Sequence, residues 1–193
     1  MMTNLKLTKR PRRPTLRPMP DLRYPIGQYE APEIITPEHI AAWIHTLEAT
    51  PERLRAAIDG LNDEQLATPY RPDGWTVRQV VHHLPDSHVN AYCRCKLAVT
   101  EDHPTIRPYD EVAWANLHDG LTGPLDLSLS LLTALHARWV LFLRSLQPSD
   151  FERTLYHPAA DATWTLGWLV GQYAWHSEHH VAHITTLRER MGW

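Results

Sequence analysis

The sequence has few cysteines and no long apolar run. No stretch of about 18 apolar residues occurs, which argues against a membrane-spanning helix. The N-terminus also lacks the apolar core of a signal peptide, so we expect a soluble, cytoplasmic protein. The two cysteines, Cys93 and Cys95, are separated by one residue, a spacing at which a disulfide would be strained. We therefore expect them to be reduced thiols packed on a helix.

Histidine and tryptophan, by contrast, are abundant. The chain has 13 histidines, and its eight tryptophans exceed its two phenylalanines. Neutral imidazole is a common protein ligand for transition metals, so the histidine surplus raises the expectation of a metal site before any spacing is considered.

The first 24 residues form a basic, proline-rich arm. They contain seven Lys/Arg and one acidic residue, whereas the whole chain has a net charge of −3. The prolines between Pro11 and Pro32 exclude a helix there. Nucleic-acid contact through the arm is conceivable, but a solubilising tail is the favoured interpretation. We expect residues 25–193 to form one domain.

Helical periodicity predicts four long amphipathic helices in that domain. Thr36 followed by Pro37 is typical of a helix start, and Thr76 with Gln79 fits a capping box. Pro51 is expected to break the first helix, and Pro85 to kink the second close to His83. The predicted helices span approximately residues 36–61, 76–101, 126–146 and 163–192.

These segments predict an all-α protein, a four-helix bundle with long crossover loops and an extended N-terminal arm. The connections over residues 102–124 and 147–161 are too long for tight turns, although a short helix could lie near residues 110–117.

The last predicted helix contains a group of histidines with the spacing of metal ligands. Four histidines fall within eight residues and occupy an arc of about 100° on one helix face. They form two pairs with the i,i+4 spacing that lets two imidazoles grip one ion, namely His176 with His180 and His179 with His183. A third ligand must come from elsewhere, and the second helix offers His82, His83 and His88.

Spacing alone does not choose between the two pairs. The apolar positions centre on the face nearer His176 and His180, but a bundle helix has two neighbours, so either pair could point inward. Those apolar positions are Leu166, Leu169, Tyr173, Ile184 and Leu187.

Several segments together resemble the DinB superfamily, and within it the YfiT group, whose members are described as metal-dependent hydrolases and also as bacillithiol S-transferases. The resemblance covers roughly residues 22–193. The segments that carry it are Tyr24–Gly27, Gly74–His88, Arg107–Glu111, Leu135–Trp139, Tyr156–Pro158, Trp175–His183 and Met191–Trp193.

The resemblance implies His83, His179 and His183 as metal ligands, and it implies a homodimer. The implied cofactor is one divalent metal, zinc or nickel, with a low-molecular-weight thiol such as bacillithiol as a co-substrate in the transferase case. Two features depart from the family pattern: Pro85 inside the second helix, and the long basic arm.

A catalytic role needs a proton acceptor or anion clamp near the metal. The candidates are Tyr109, His136, Arg138 and Asp86, although each could equally serve structure. The leading hypothesis is a metal-dependent hydrolase or thiol S-transferase acting on a small molecule. The alternative is a non-enzymatic metal-binding protein of the stress or DNA-damage response.

Overall fold

Four long helices form the body of the protein in the computed structural model, which describes residues 21–193; the first 20 residues of the basic arm lie outside the described residues. Shorter turns and one small hairpin connect them. In chain order the elements are α1 (Pro37–Ile58), α2 (Asp63–Leu66), α3 (Val77–Thr100), α4 (Glu111–Ala115), α5 (His118–Thr122), α6 (Leu125–Arg144), a 3-10 helix (Pro148–Glu152), β1 (Thr154–His157), β2 (Ala162–Thr165) and α7 (Leu166–Met191).

Polar caps fix where the long helices begin and end. Thr36 caps α1 and Thr76 caps α3, each accepting a bond from the backbone N–H three residues on, as the sequence predicts. Thr165 caps α7 in the same way, and Gly192 ends that helix with a left-handed φ of 71°. These caps satisfy backbone groups that the helix cannot pair internally.

The long helices pack as a four-helix bundle. Both α1 and α3 pack against α6 and α7, so α1 and α3 occupy opposite corners of the bundle. Two buried apolar clusters fill its interior. On α7, Tyr173 belongs to one cluster and Ile184 to the other. His176 and His180 therefore lie between the two apolar parts of the core.

The helix-internal prolines do not interrupt their helices. Both α1 and α3 are continuous, through Pro51 and Pro85 respectively, so the predicted break in α1 is wrong. Each proline still removes one backbone donor, and the carbonyl four residues earlier then needs another partner.

A small hairpin replaces part of the predicted loop before the last helix. Strands β1 and β2 pair antiparallel, with Thr154 opposite Thr165 and His157 opposite Ala162. Since Thr165 is also the N-cap of α7, the hairpin fixes the start of the histidine-bearing helix.

Helix α6 is long and apolar enough, by length and composition, to cross a membrane, and it is the one such helix among residues 21–193. It packs here as a bundle helix, with Leu132, Trp139 and Leu143 buried in the interior. These buried residues share one face of α6, as in an amphipathic helix of a bundle.

Candidate metal centre

Three histidines from two helices converge inside the bundle. His83 on α3 and His176 and His180 on α7 each present one ring nitrogen, and the three nitrogens lie within 4.8 Å of one another. The Nε2 atoms of His83 and His176 are 3.3 Å apart. Two nitrogens that bind one tetrahedral zinc at about 2.05 Å would themselves be separated by about 3.3 Å. The donor set and its spacing thus fit a divalent transition metal.

The surroundings keep these imidazoles neutral. Burial lowers the pKa of His83 to about 4, and burial with the neighbouring histidines holds the pKa values of His176 and His180 well below the ordinary histidine value. Trp75 contributes apolar surface beside the cluster, since its ring centroid lies 4.6 Å from that of His83. Only a neutral imidazole can donate a lone pair to a metal, so the cluster is ready for one.

A line of buried histidines fixes the orientation of His176. Its Nδ1 is 3.1 Å from His88 Nε2, and His88 Nδ1 is 2.7 Å from His136 Nε2. His136 Nδ1 in turn contacts the carbonyl oxygen of Leu47. We call these three residues, His176, His88 and His136, the histidine relay.

The carbonyl at the end of the relay determines the tautomer of each member. A carbonyl only accepts, so His136 must donate from Nδ1 and accept at Nε2. His88 then donates from Nδ1 to His136, and His176 donates from Nδ1 to His88. The Nε2 lone pair of His176 is left facing the cluster, which is the form a metal ligand needs.

A second network orients His180. His183 Nε2 lies 3.1 Å from the carbonyl oxygen of Arg23, so that nitrogen must donate. His183 Nδ1 therefore accepts from His180 Nδ1, which is 3.3 Å away. His180 is left with its lone pair on Nε2. The two cluster members on α7 are thus held in the same tautomer by separate partners.

On α7 the structure brings to the cluster a different pair from the one that the family resemblance implies, and the pair that binds the metal stays a prediction. The structure brings His83 to the cluster but places His179 and His183 on the neighbouring side of α7. His179 stacks on Trp175, with ring centroids 4.4 Å apart, and its buried Nδ1 has no hydrogen-bond partner among the described residues. His183 stacks on Tyr70 and serves as a partner of His180.

The start of the described chain covers that neighbouring side. Tyr24 packs near His179, the Arg23 carbonyl accepts from His183, and Trp175 donates to the carbonyl of Gly27. We call residues 23–27 the N-terminal strap. The His179 and His183 pair therefore packs against the strap, through Tyr24 and the Arg23 carbonyl.

Comparison with protein families decides the relationship. A model of the DinB superfamily matches residues 46–184. The chain belongs to the DinB superfamily. This part of the chain contains α3, α6 and most of α1 and α7, and so includes the whole histidine cluster.

Individual DinB relatives match over nearly their full length. The chain is 54% identical over 175 residues to a Bacillus mycoides protein named "putative metal-dependent hydrolase", covering 91% of this chain and all of that one. It is 52% identical over 173 residues to a Bacillus subtilis protein of the same description, YfiT, covering 90% and 97% of the two chains.

A solved structure of YfiT from Bacillus subtilis superimposes with a TM-score of 0.87 at 52% identity. It covers 89% of this chain and 98% of that one. It is described as a probable metal-dependent hydrolase with an unusual four-helix bundle topology. The predicted fold class, a DinB four-helix bundle, is thereby confirmed.

The four predicted catalytic candidates occupy different places in this DinB fold. Tyr109 lines a pocket that also contains His176. His136 is buried as the innermost member of the histidine relay, which places it to position His88 and His176. Asp86 is half-buried, and burial, with a smaller contribution from Asp119, raises its pKa to about 6. Arg138 is exposed on the outer face of α6.

Two other residues near the cluster have positions that the sequence does not reveal. The sequence offers His88 only as a possible ligand, whereas in the structure it joins His176 to His136. Arg94 carried no signal, because a single arginine within an amphipathic helix is ordinarily exposed. Its burial depends on packing between α3, α7 and the segment around Arg107.

Proposed function

We propose that this protein is a metal-dependent hydrolase that holds one divalent cation, zinc or nickel, on His83, His176 and His180. The observation that carries the proposal is the convergence of three neutral ring nitrogens from two helices. Its near-full-length relatives, which are named as metal-dependent hydrolases, support the same reaction class.

A three-imidazole site leaves coordination positions free, in contrast to a closed structural site with four protein ligands. A divalent cation bound there supplies Lewis acidity that activates water near neutral pH. The chain's own contribution is to bind and orient. The relay and His183 hold the two α7 ligands in their donor tautomer, and Trp75 packs against the ring of His83.

A thiol S-transferase, with bacillithiol or a similar low-molecular-weight thiol as co-substrate, is the second candidate. It is favoured by one observation: within residues 21–193, the cluster that could hold a metal contains histidines only, with no carboxylate among its members. A hydrolase commonly uses a carboxylate beside the metal as proton acceptor, whereas a thiol whose pKa is lowered at the metal needs no such base.

Turnover distinguishes these candidates. Untagged protein would be stripped of metal, reloaded with Zn²⁺ or Ni²⁺, and offered p-nitrophenyl esters, anilides, and separately cysteine with 1-chloro-2,4-dinitrobenzene. We expect a metal-dependent rate that is lost in His176→Ala and retained in His179→Ala, a matched change on the same helix. Metal binding without turnover in either assay would favour a non-enzymatic metal-binding protein.

The homodimer also remains a prediction, and the outer face of α6 is the surface we propose for it. Leu127, Leu131 and Leu141 are exposed there, with Arg138 between them at helical spacing. An exposed apolar stripe of this kind is typical of a protein–protein contact. Analytical ultracentrifugation should show a dimer that Leu131→Glu converts to monomer; a wild-type monomer would contradict the proposal.

A further inference from the structure

A small pocket of about 260 Å³ opens beside the histidine cluster. It lies between α3, α7, the segment before α4 and the β-hairpin, and His176 forms part of its wall. The polar and charged residues that line it include Ser87, Arg94, Tyr109, Glu111, His157, Gln172 and His176. It is thus a polar space that reaches one of the candidate metal ligands.

Arg94 places a buried positive charge in this pocket. Its residue is 7% exposed, and its guanidinium donates to the hydroxyl of Tyr173 at 3.2 Å and to the carbonyl of Arg107 at 3.3 Å. A guanidinium has five N–H donors, so donors remain for a ligand.

No acidic residue forms an ion pair with that charge, although the exposed Glu111 lines the same pocket. Within residues 21–193 no carboxylate lies within 4.0 Å of Arg94, and residues 1–20 contain no Asp or Glu at all. Buried arginines are ordinarily paired, because an unpaired charge is costly to remove from water. The missing negative charge is therefore expected from a ligand.

Tyr109 provides an independent indication of a ligand in the same pocket. Its hydroxyl is buried and has no hydrogen-bond partner among the described residues. Its ring is held against Trp114, with centroids 4.7 Å apart, so the hydroxyl is fixed in place. Burial raises the pKa of Tyr109, and the nearby Ser87 hydroxyl only partly opposes this effect. The hydroxyl is consequently protonated and can donate to a ligand in the pocket.

The hydrogen-bond donors of the pocket indicate the kind of anion. One guanidinium and one neutral hydroxyl match a singly charged, planar carboxylate, which an arginine can bind through two parallel bonds. Glu111 also lines the pocket and is exposed. Its negative charge disfavours a doubly charged phosphate at the same place.

We propose that Arg94 and Tyr109 bind the carboxylate of a small-molecule substrate in this pocket, and so determine the substrate class of the enzyme. This inference rests on the proposed function for the reaction that follows binding. Tyr173 lies between the proposed carboxylate site and the histidine cluster. Its hydroxyl accepts a hydrogen bond from Arg94, and its ring centroid is 5.4 Å from that of His176. A substrate held by its carboxylate would extend its reactive group toward the cluster.

The test measures binding of propionate, propionamide and inorganic phosphate by two-dimensional NMR. It uses both Zn²⁺-loaded and metal-free full-length protein, because a carboxylate could also bind the metal directly. We expect propionate to bind metal-free wild type at least tenfold more tightly than propionamide or phosphate. Arg94→Gln should weaken propionate binding at least tenfold. Arg153→Gln is the control, since Arg153 is an exposed arginine that also donates to two backbone carbonyls, and it should change nothing.

Tyr109→Phe keeps the proposal testable if Arg94→Gln fails to fold. It removes one hydroxyl that has no partner, so the melting temperature should be unchanged while propionate binds severalfold more weakly. Equal binding of propionate and propionamide by wild type, or equal affinities in Tyr109→Phe and wild type, would overturn the proposal. If the proposed hydrolase function alone is wrong, Zn²⁺-loaded wild type will show no turnover, and metal-free wild type will still bind propionate.

Discussion

The carbonyl of Leu47 has no helical donor because the residue four positions later is Pro51. It accepts instead from Nδ1 of His136, the innermost member of the histidine relay. A proline in a neighbouring helix thus leaves free the acceptor that fixes the tautomers of His136, His88 and His176.

Restoring the missing donor should disturb the metal site from a distance. Pro51→Ala supplies an N–H that competes with His136 for the Leu47 carbonyl. We expect Zn²⁺ affinity to fall about threefold to tenfold, measured by competition with a chromophoric chelator. The free energy of unfolding of metal-free protein should change by less than about 1 kcal/mol, since a gained helical bond offsets the added chain entropy.

Pro37→Ala is the matched control for this prediction. Pro37 is the first residue of the same helix, where its missing N–H has no helical acceptor. Equal Zn²⁺ affinities for the Pro51 and Pro37 variants would show that the Leu47 carbonyl has no influence on the site.

The metal content of histidine variants can show which of the two histidine pairs on α7 binds the metal. Elemental analysis of untagged protein should give about one metal ion per chain for wild type and His179→Ala. His176→Ala and His180→Ala should retain less than about a tenth of that, because each removes one of three ligands. Loss of metal in His179→Ala with retention in His176→Ala would restore the pair implied by the family resemblance.

Replacing the middle of the relay should weaken the metal site without removing a ligand. His88→Phe leaves His176 Nδ1 without its acceptor, and we expect Zn²⁺ affinity to fall about 10-fold to 100-fold. His88→Gln, which keeps an acceptor and a donor, should recover part of the loss. Long-range ¹⁵N–¹H NMR should show His176 protonated on Nδ1 in metal-free wild type, and a mixture of tautomers in His88→Phe. An unchanged tautomer in His88→Phe would mean that another contact orients His176.

Acid should destabilise the metal-free protein as the pH falls below about 6.5, through its buried histidines. Burial lowers the pKa of His136 to about 4, below the ordinary value of about 6.5 that it has when unfolded. The unfolded chain therefore binds more protons, so stability is fully present above about pH 6.5 and falls toward pH 4. Each such histidine should lower the free energy of unfolding by about 1.4 kcal/mol per pH unit in that window.

Urea unfolding in EDTA between pH 7 and pH 5 measures this loss. In His136→Phe the free energy of unfolding should fall less steeply with decreasing pH than in wild type. The difference in slope should correspond to the uptake of about one proton fewer on unfolding. Identical slopes in the two proteins would indicate that His136 is already protonated in the folded state, contrary to its buried position.

Much of the fold is predictable because helix signals are local. Thr36 and Thr76 begin helices as their capping patterns predict, and Gly192 ends α7. The hairpin of β1 and β2 was not predicted, since two four-residue strands are too short to show alternation. It is stabilised by their mutual pairing and by a bridge from Thr105 to Tyr156, both of which depend on chain packing.

The choice of ligand pair was harder because the two i,i+4 spacings on α7 are identical. What distinguishes them is which neighbour each pair faces, α3 or the N-terminal strap, and that depends on contacts far apart in sequence. The apolar positions around Tyr173 and Ile184 did carry the signal, since they centre on the face of His176 and His180 that the structure turns inward.

The N-terminal strap has a practical consequence for anyone who shortens this chain. A protein that begins after Gly27 would lack the backbone that holds His183 and covers His179. Its last helix would then offer two chelating pairs in place of one. Metal stoichiometries measured on such a fragment would overcount the native site, while the loosened His180 would weaken it.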